Sequence, residues 1–407
     1  MPHWIGETHF IRSLRTLPKA LTPAAFATGL VTFTMMLTVP TLVIFQAAAE
    51  AGFSESQTGS WLFSVLAIGG LMTLTLSLAY GQPIAGGVST IVAAFLVQAL
   101  PGFSIQQAVG AYLIHGALMV ALSFMRQYSR LIQAIPPEVV MGALAGALLR
   151  FGSGVFVELA ADPALVAPIL GVWLLLTRWP LRGLPPVVAA LGVGVAAAMV
   201  LHPPVNPAVS WGVSLPQFYR PEFTLQGVLS LSIPLTLIVL SAQNASAIGL
   251  LRSLGYRVHV GAATLSTGLF TMAAAVMGAA GVSLGAQRAA VAGDPSVHPD
   301  PGLRYGAMVV DAFLMLGAAF FATTLIGLFA LAPLGMIRTV AGLAMLPVIL
   351  RALEQSLGSG RRRYGGLFAL TIAASGIQIL GIGAMFWALL MAPLGSWLAD
   401  SPAKRKP

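Results

Sequence analysis

The amino-acid sequence predicts an all-α polytopic membrane protein, with about fourteen transmembrane segments arranged as a seven-plus-seven inverted repeat. Composition is the first reason, since 57% of the 407 residues are hydrophobic and 8% are charged. Soluble domains carry about 25% charged residues, so a soluble protein is excluded. Apolar stretches of about 20 residues, the length that crosses a bilayer, recur along the whole chain. A repeat between the two halves, described below, predicts the inversion.

Short connections separate the predicted segments, so no soluble domain is expected between them. Their ranges in chain order are 24–48, 57–79, 83–99, 105–125, 137–158, 163–179, 185–201, 227–250, 259–279, 281–293, 304–331, 334–353, 364–382 and 384–400. The third and tenth segments are too short and too rich in glycine to be ordinary spanning helices. Each is predicted to be an extended stretch that opens a short helix.

The predicted domain boundaries follow the two repeats. They are 1–23 for a cytoplasmic N-terminal segment, 24–201 for the first repeat, 202–226 for an outer loop, 227–400 for the second repeat and 401–407 for a basic cytoplasmic tail. The first twenty residues lack a continuous apolar core, so a cleaved signal peptide is not expected. The absence of cysteine excludes disulfides, thiol catalysis and Cys-ligated iron–sulfur clusters.

The formal net charge of +9 is explained by where the basic residues stand. With the N-terminus inside, those predicted to be cytoplasmic are Arg12, Arg15, Lys19, Arg126, Arg130, Arg178, Arg182, Arg252, Arg257, Arg304, Arg361, Arg362, Arg363, Lys404, Arg405 and Lys406. The predicted outer loops carry almost none beyond Arg220. This positive-inside asymmetry predicts a bacterial inner-membrane protein with both termini in the cytoplasm, and it explains the basic charge without a nucleic-acid partner.

Three pairs of similar stretches indicate an internal repeat. Residues 137–146 match 333–342 at an offset of 196, residues 87–89 match 281–283 at 194, and Pro40 matches Pro234 at 194. Each match lies in corresponding segments of the two halves. An offset that spans seven segments, an odd number, makes the second half enter the membrane from the opposite face. That is the inverted repeat common among transporters.

The candidate substrate site lies where the two interrupted segments are expected to meet. The stretches are Gly81-Gln-Pro-Ile-Ala-Gly-Gly-Val-Ser-Thr90 and Gly278-Ala-Ala-Gly-Val-Ser-Leu-Gly-Ala-Gln287. The first N–H groups and the positive dipole end of each short helix would face the membrane centre and bind an anion such as a carboxylate. The alternative is that both are close-packed helices of small residues. The site residues predicted from the two stretches are Ala85, Gly86, Gly87, Val88, Ser89, Ala280, Gly281, Val282 and Ser283.

Gln243 and Asn244 are adjacent amides in the eighth segment, which otherwise has the pattern of a continuous apolar helix. They cannot both face lipid cheaply, so at least one is expected to face protein, water or substrate. The alternative role is a hydrogen bond between helices.

Few ionisable residues lie within the segments, and such residues are functional candidates by default. They are Arg150, Arg288, Asp311, Arg338 and His115. By depth, Asp311 is the first candidate for a proton carrier and His115 the second, although either could be structural, Asp311 by pairing with an arginine. Arg150 and Arg338 are expected to snorkel towards an interface. Arg288 either attracts an anionic substrate or marks the membrane surface.

Motifs for other chemistry are absent from the sequence. There is no Walker A loop, HExxH or GxSxG, so ATP-driven transport and hydrolysis are not supported, and no cofactor is predicted. His298 stands beside acids in the loop 294–301, but the prolines there favour a rigid turn over a metal site. A membrane-embedded enzyme would also need clustered His, Asp and Glu residues, which the segments lack.

Four motifs in order resemble the bacterial benzoate:proton symporter (BenE-type) family, over essentially the whole chain. They are Ile44-Phe-Gln-Ala-Ala-Ala49, Ala145-Gly-Ala-Leu-Leu-Arg-Phe-Gly152, Ser241-Ala-Gln-Asn followed by Ala247-Ile-Gly-Leu-Leu-Arg252, and His298-Pro-Asp-Pro-Gly-Leu-Arg-Tyr305. The family resembles the uracil/xanthine and sulfate permeases. The resemblance adds Gln46 to the predicted site, and Gln243 matches the position of a substrate-binding glutamate in the nucleobase permeases.

The resemblance implies a core domain from segments 1–4 and 8–11 and a gate domain from segments 5–7 and 12–14. It implies import of an aromatic carboxylate with protons, by elevator-like motion of core against gate. The chain departs from the family pattern at Val88, where a large aromatic is usual, and in the run Ser283–Arg288. Both departures fall at the predicted site.

The sequence thus predicts an ion-coupled secondary transporter of a small organic anion, most plainly benzoate or a related aromatic carboxylate. The alternative is a uniporter or channel-like facilitator of a nucleobase or an inorganic anion. Its expected partners are the anion, protons and the lipid bilayer, with monomer and homodimer both open.

Overall fold

The computed structural model describes residues 9–125, 136–181, 185–203, 212–358 and 363–400. The described chain is mostly helical, with two short two-stranded sheets. The helices are α1 (Phe10–Ala20), α2 (Pro23–Leu37), α3 (Val39–Glu50), α4 (Glu55–Tyr80), α5 (Thr90–Ala99), α6 (Ile105–Phe124), α7 (Pro137–Ala161), α8 (Pro163–Arg178), α9 (Pro186–Leu201), α10 (Leu225–Ser253), α11 (Val260–Ala275), α12 (Ala286–Ala292), α13 (Tyr305–Ala319), α14 (Ala322–Ala330), α15 (Leu334–Leu357), α16 (Arg363–Ser375) and α17 (Ala384–Ala399), with a 3-10 turn at Pro301–Leu303. The strands are β1 (Gly86–Val88), β2 (Val282–Leu284), β3 (Gln378–Ile379) and β4 (Ile382–Gly383).

Local sequence explains where many helices begin and end. Ser54 and Ser104 each accept a hydrogen bond from the backbone three residues later, and Gln57 and Gln107 return one, so α4 and α6 both begin with a capping box. Proline stands in the first turn of α2, α3, α7, α8 and α9, where its missing N–H costs nothing. Gly81 ends α4 in the left-handed conformation that glycine adopts most easily.

Seven helical stretches among the described residues are long and apolar enough to cross a membrane. They are Pro23–Glu50, Glu55–Tyr80, Ile105–Phe124, Pro137–Ala161, Leu225–Ser253, Pro301–Ala319 and Leu334–Leu357. Five shorter apolar helices are Thr90–Ala99, Pro163–Arg178, Pro186–Leu201, Val260–Ala275 and Ala384–Ala399. The protein is therefore a polytopic helical membrane protein, while the count of fourteen segments and the inverted repeat stay predictions.

Two predicted segments end or break earlier than the sequence indicates. The segment predicted over 304–331 is divided between α13 and α14, because the carbonyl of Phe320 accepts the backbone N–H of Ser214, 2.6 Å away, instead of continuing the helix. The segment predicted over 364–382 stops at Ser375, where α16 ends. A hairpin of β3 and β4 follows, with Leu380 at φ +55° in its turn.

The eighth segment, α10, is one helix but not a regular α-helix. It contains π-helical stretches at Val228–Ser232 and Val239–Asn244. Pro234 lies between them and has no N–H to donate to the preceding turn, which favours such a widening of the helix. The second π stretch contains both Gln243 and Asn244.

The helices pack in two groups, and the first of them surrounds strands β1 and β2. In one group α6 packs against α11, α4 and α2 pack against α13, and α3 packs against α5. In the other, α7 packs against α15 and α16, α16 against α17, and α8 against α9. Strands β1 and β2 lie within the first group, and every residue of both is buried.

Several sequence predictions fall outside the described residues. They concern the basic residues Arg126, Arg130, Arg182, Arg361, Arg362, Lys404, Arg405 and Lys406, together with the tail 401–407 and parts of 1–23 and 202–226. The cytoplasmic placement of both termini stays a prediction.

Close packing of α7 on α16 gives a stability test. A Cβ at Gly146 would meet the backbone carbonyl of Leu370, whereas a Cβ at Gly154 on the same helix would meet nothing within 4 Å. Gly146→Ala should destabilise the protein by about 1–3 kcal/mol, because neither backbone can yield without moving a helix. Thermal unfolding in detergent measures this, with Gly154→Ala as the matched control. Equal melting temperatures for the two variants would contradict the packing.

Candidate functional site

The candidate site is built on the antiparallel pairing of β1 with β2. Gly86 pairs with Leu284, Gly87 with Ser283, and Val88 with Val282. The two interrupted stretches identified in the sequence are thus brought side by side. Each strand leads directly into a short helix, β1 into α5 and β2 into α12. Helix α5 therefore begins at the Val88 end of the strand pair, and α12 begins at the Leu284 end.

Threonines on neighbouring helices satisfy backbone groups of the strands. Thr73 Oγ1 on α4 accepts from the N–H of Gly86 at 2.8 Å and lies 2.9 Å from the carbonyl oxygen of the same residue. Thr271 on α11 donates to the carbonyl of Val282 at 3.1 Å. Such partners are necessary, because an unpaired backbone group buried away from water costs about as much as a lost hydrogen bond.

Asn244 belongs to the support of β2. Its Oδ1 accepts the N–H of Leu284 at 3.2 Å, and its Nδ2 donates to Thr267 at 3.1 Å. The side chain is 1% exposed. Asn244 thus lies within hydrogen-bonding reach of the strand pair, and its amide is engaged with protein on both sides.

Arg288 and Asp311 form a buried ion pair at the Gly86 end of the strand pair. Arg288 Nη1 lies 2.8 Å from Asp311 Oδ2, and the side chains are 7% and 0% exposed. The guanidinium also contacts the sulfur of Met315, and Nη2 donates to the carbonyl of Gly86. Gly87, with φ +151°, leaves room for this group, since a Cβ there would collide with it. The suggestion that Arg288 marks the membrane surface is wrong, because the residue is buried.

His115 on α6 lies near the other end of the strand pair. Its Nδ1 is 2.8 Å from Thr236 Oγ1, and that hydroxyl donates to the carbonyl of Ser232 at 2.7 Å. Because this carbonyl can only accept, we assign the Thr236 hydroxyl hydrogen to it and the imidazole proton to Nδ1, which then donates to Thr236 Oγ1. The opposite nitrogen, Nε2, is buried and has no hydrogen-bond partner among the described residues. A Cβ built on Gly281 would lie 3.6 Å from this atom.

The other predicted site residues differ in how they are placed. Gln46 on α3 is 8% exposed, and its Oε1 has no hydrogen-bond partner within the described chain. Gln243 is half-buried on α10, beside Asn244. Ser89 accepts from the N–H groups of Ile91 and Val92 and so caps α5. No group of three or more potential metal ligands occurs among the described residues.

A cavity of about 1100 Å³ opens between the ends of α1, α4 and α10. Its basic side chains are His9, Arg12, Arg252, Arg257 and His259, and no described residue of its lining is acidic. A narrow apolar recess shares Arg257 and His259 with this cavity and reaches Ile84 and Leu284 next to the strands. Arg12, Arg252 and Arg257 therefore give this opening a positive charge.

Two kinds of residue that shape this site were not predicted from the sequence. Thr73 and Thr271 were not identified, although their spacing of 198 residues is close to the repeat offset and could have revealed them. Arg288 was noted for its charge, but nothing in the sequence placed it against Gly86 or paired it with Asp311.

Comparison with known proteins identifies the family. The family described as benzoate membrane transport protein matches residues 19–396. The chain belongs to this family. The benzoate membrane transport protein of Acinetobacter baylyi is 26% identical over 391 residues, which cover 96% of this chain and 98% of that protein. The inner membrane protein YdcO of Escherichia coli is 33% identical over 348 residues, covering 86% of this chain and 88% of that protein.

Solved structures show the fold of this benzoate-transport family member. SLC26A9 aligns with a TM-score of 0.62 at 12% identity, over 95% of this chain and 67% of that one. The transmembrane domain of the cyanobacterial bicarbonate transporter BicA aligns with a TM-score of 0.61 at 12% identity, over 94% and 97% of the two chains. The fold is therefore of the SLC26 type. With the family, it makes this protein a multi-pass inner-membrane transporter and not an enzyme.

The buried ion pair gives a second stability test. Arg288→Gln or Asp311→Asn alone leaves one buried charge unpaired, and each should destabilise the protein by about 3–5 kcal/mol. The double variant should recover much of that loss, because no lone charge remains. Thermal unfolding of the four proteins in detergent measures the coupling. Strictly additive losses would show that the two charges do not depend on each other.

Proposed function

We propose that the protein imports benzoate or a related aromatic carboxylate in symport with protons, as a secondary active transporter with an elevator-type mechanism. The observation that carries the proposal is the buried β1–β2 pair, with α5 beginning at its Val88 end and α12 at its Leu284 end. Helix N-termini bind anions through free N–H groups and the helix dipole. The family supports a carboxylate as that anion.

Gly281 leaves room for a substrate beside the strands. A Cβ there would make only ordinary van der Waals contacts with Val92 and His115, whereas the space beside Gly86 and Gly87 is filled by Met72 and the Arg288 guanidinium. We assign the substrate to the space bounded by 85–89 and 280–283, with Gln46 and Gln243 at its edge. Gln243 is the better of the two adjacent amides for this role, because both polar atoms of Asn244 already have protein partners.

The basic cavity supports an anionic substrate. Three arginines, Arg12, Arg252 and Arg257, stand in its lining, and it adjoins the recess that reaches Leu284. Clefts of one charge sign raise the local concentration of oppositely charged solutes. We assign this opening to the cytoplasmic side, where the positive-inside rule places Arg12, Arg252 and Arg257.

Similarities between the two halves support the inverted repeat. Thr73 and Thr271 bond to β1 and β2 from the helices before each strand. The packing of α6 on α11 has its counterpart in that of α13 on α4, since segments four and nine correspond to eleven and two. We propose that residues 24–201 superpose on 227–400 after inversion about an axis in the membrane plane.

The two packing groups support the core and gate of an elevator. The group around the strands consists of helices from segments 1–4 and 8–11, and the other of helices from segments 5–7 and 12–14. Arg338 of segment 12 lies 3.0 Å from Glu50 at the end of α3, in the group around the strands, and 3.3 Å from Glu158 in its own group. The Arg338–Glu50 pair is part-exposed, so sliding of one group against the other can exchange it for water.

Asp311 offers one route for proton coupling. Protonation of Asp311 would release Arg288, whose guanidinium already lies against Gly86 and Gly87, to receive the substrate carboxylate. The substrate would then replace the lost negative charge. A uniporter or facilitator, the alternative function, needs no such exchange.

Uptake by purified protein in proteoliposomes tests the function. Radiolabelled benzoate should accumulate above its external concentration when the vesicle interior is made alkaline, and accumulation should collapse with a protonophore. Vesicles without protein and vesicles without a pH gradient are the controls. Equilibration without accumulation would show a uniporter, and absence of saturable benzoate uptake would overturn the proposed substrate.

Loss of an amide at the site should weaken binding. Gln243→Ala should lower benzoate affinity about ten-fold or more, because a hydrogen bond to a charged group contributes about 1.5–3 kcal/mol. Ser246→Ala on the same helix is the matched control, since Ser246 is exposed and bonds only to its own helix at Ala242. Equilibrium binding to detergent-solubilised protein measures both. Unchanged affinity in folded Gln243→Ala would assign this residue to structure.

A further inference from the structure

His115 is a buried histidine whose Nδ1 is hydrogen-bonded and whose Nε2 has no hydrogen-bond partner among the described residues. Its side chain is 0% exposed. The Thr236 hydroxyl, itself committed to Ser232, holds the imidazole proton on Nδ1. Nε2 therefore offers a lone pair and has no hydrogen-bond partner within the described residues. A buried polar atom left without a partner is uncommon in folded proteins and requires an explanation.

The unused nitrogen is directed at the candidate site. It lies near Gly281, the residue before β2, and a Cβ on Gly281 would also contact Val92 in the first turn of α5. The atom thus lies where the extended stretch of segment 10 meets the N-terminal turn of the segment 3 helix. A helix N-terminus with a buried, unpartnered base beside it suits a ligand that brings a proton and a negative charge together.

Among the described residues, no charged group forms a hydrogen bond or an ion pair with this imidazole. Helix α6 packs against α11 and against the first part of α10. The groups that meet His115 and its neighbour Gly116 from those helices are Thr236 and the uncharged Gly268 and Met272. On α6 itself the nearest titratable residue is Tyr112, one turn earlier, with a buried and unpartnered hydroxyl. An imidazolium here would be an unpaired buried charge, which costs several kcal/mol.

We infer that His115 Nε2 is the proton site of transport and that it takes its proton only together with the substrate carboxylate. This inference rests on the proposed function. The carboxylate and one proton enter the site and form an N–H···O bond between Nε2 and a carboxylate oxygen, with Nδ1 still bonded to Thr236. The net charge added to the site is zero. Proton and anion therefore stabilise each other there, and neither is bound well alone.

This assignment reverses the order of the two candidates from the sequence. Asp311 already has a counter-charge at 2.8 Å in Arg288, so protonating it breaks a buried ion pair. His115 has no such partner to lose. The buried pair then has a structural role, holding the Gly86 end of the strands while the proton and the substrate bind at the other end.

The pH dependence of benzoate binding to detergent-solubilised protein tests the inference. Uptake of one proton on binding makes the apparent Kd rise about ten-fold per pH unit between pH 6.5 and 8.5, because the free protein and the free anion are both unprotonated there. In His115→Asn the amide can still donate to Thr236, but the position of Nε2 has no base. This variant should bind benzoate with a Kd that no longer depends on pH, and it should catalyse benzoate exchange without pH-driven accumulation.

Three further variants define the outcomes. His202→Gln changes an exposed histidine that is bonded to Asp162, and this variant should keep the full ten-fold rise in Kd per pH unit. Asp311→Asn tests the rival carrier, and a pH dependence of the Kd that is lost in this variant but retained in His115→Asn would overturn the inference in favour of Asp311. His115→Gln repeats the test if His115→Asn does not fold. Wild-type protein that binds benzoate with no pH dependence also overturns the inference, whereas wild-type protein that binds no benzoate overturns the proposed function instead.

Discussion

The constraint on which this structure depends is the need to satisfy backbone N–H and C=O groups away from water. Extended backbone within a membrane protein is tolerated only where protein or a water-filled cavity supplies partners. Strands β1 and β2 are three residues each, so pairing with each other satisfies only some of their groups. Thr73, Thr271 and Asn244 supply further hydrogen bonds. The need for these hydrogen bonds places α4, α10 and α11, the helices that carry the three residues, around the strands. The candidate site depends on that placement.

The two ends of the strand pair carry different polar groups, a buried ion pair at one end and a histidine at the other. At the Gly86 end, Arg288 is neutralised by Asp311 and bonded to the backbone, so it adds little net field. At the other end, near Gly281, a neutral histidine presents an unused lone pair. Helix α5 begins at the Gly281 end, and the short helix α12 begins at the Gly86 end. Such a site favours an anion through oriented dipoles and needs no free buried cation, which would be costly when the site is empty.

The sequence predicted the parts of this fold that depend on local pattern. Glycine-rich interruptions in segments 3 and 10 indicated extended stretches there, and long apolar runs indicated the spanning helices. The partners of buried polar residues could not be predicted, because spacing along a helix does not fix which neighbour that helix packs on. Asp311 illustrates this, since only the packing of α12 and α13 brings Arg288 to it. The hairpin that follows the early stop of α16 also depends on tertiary contacts, since Gln226 and Ser230 of α10 bond to Gly381 and Gly383.

The ion pairs of this protein have strengths that suit the proposed motion. Arg288 and Asp311 are buried within the group of helices that holds the strands, and breaking such a pair costs several kcal/mol. Arg338 pairs with Glu50 across the boundary between the two groups, and its side chain is 37% exposed. Part-exposed pairs contribute about 0–1 kcal/mol, since water can replace either partner. An elevator needs this arrangement, because the moving group must stay rigid while its contacts with the other group break and re-form in every cycle. The strong Arg288–Asp311 pair therefore lies inside one group of helices, and the weak Arg338–Glu50 pair lies between the two groups.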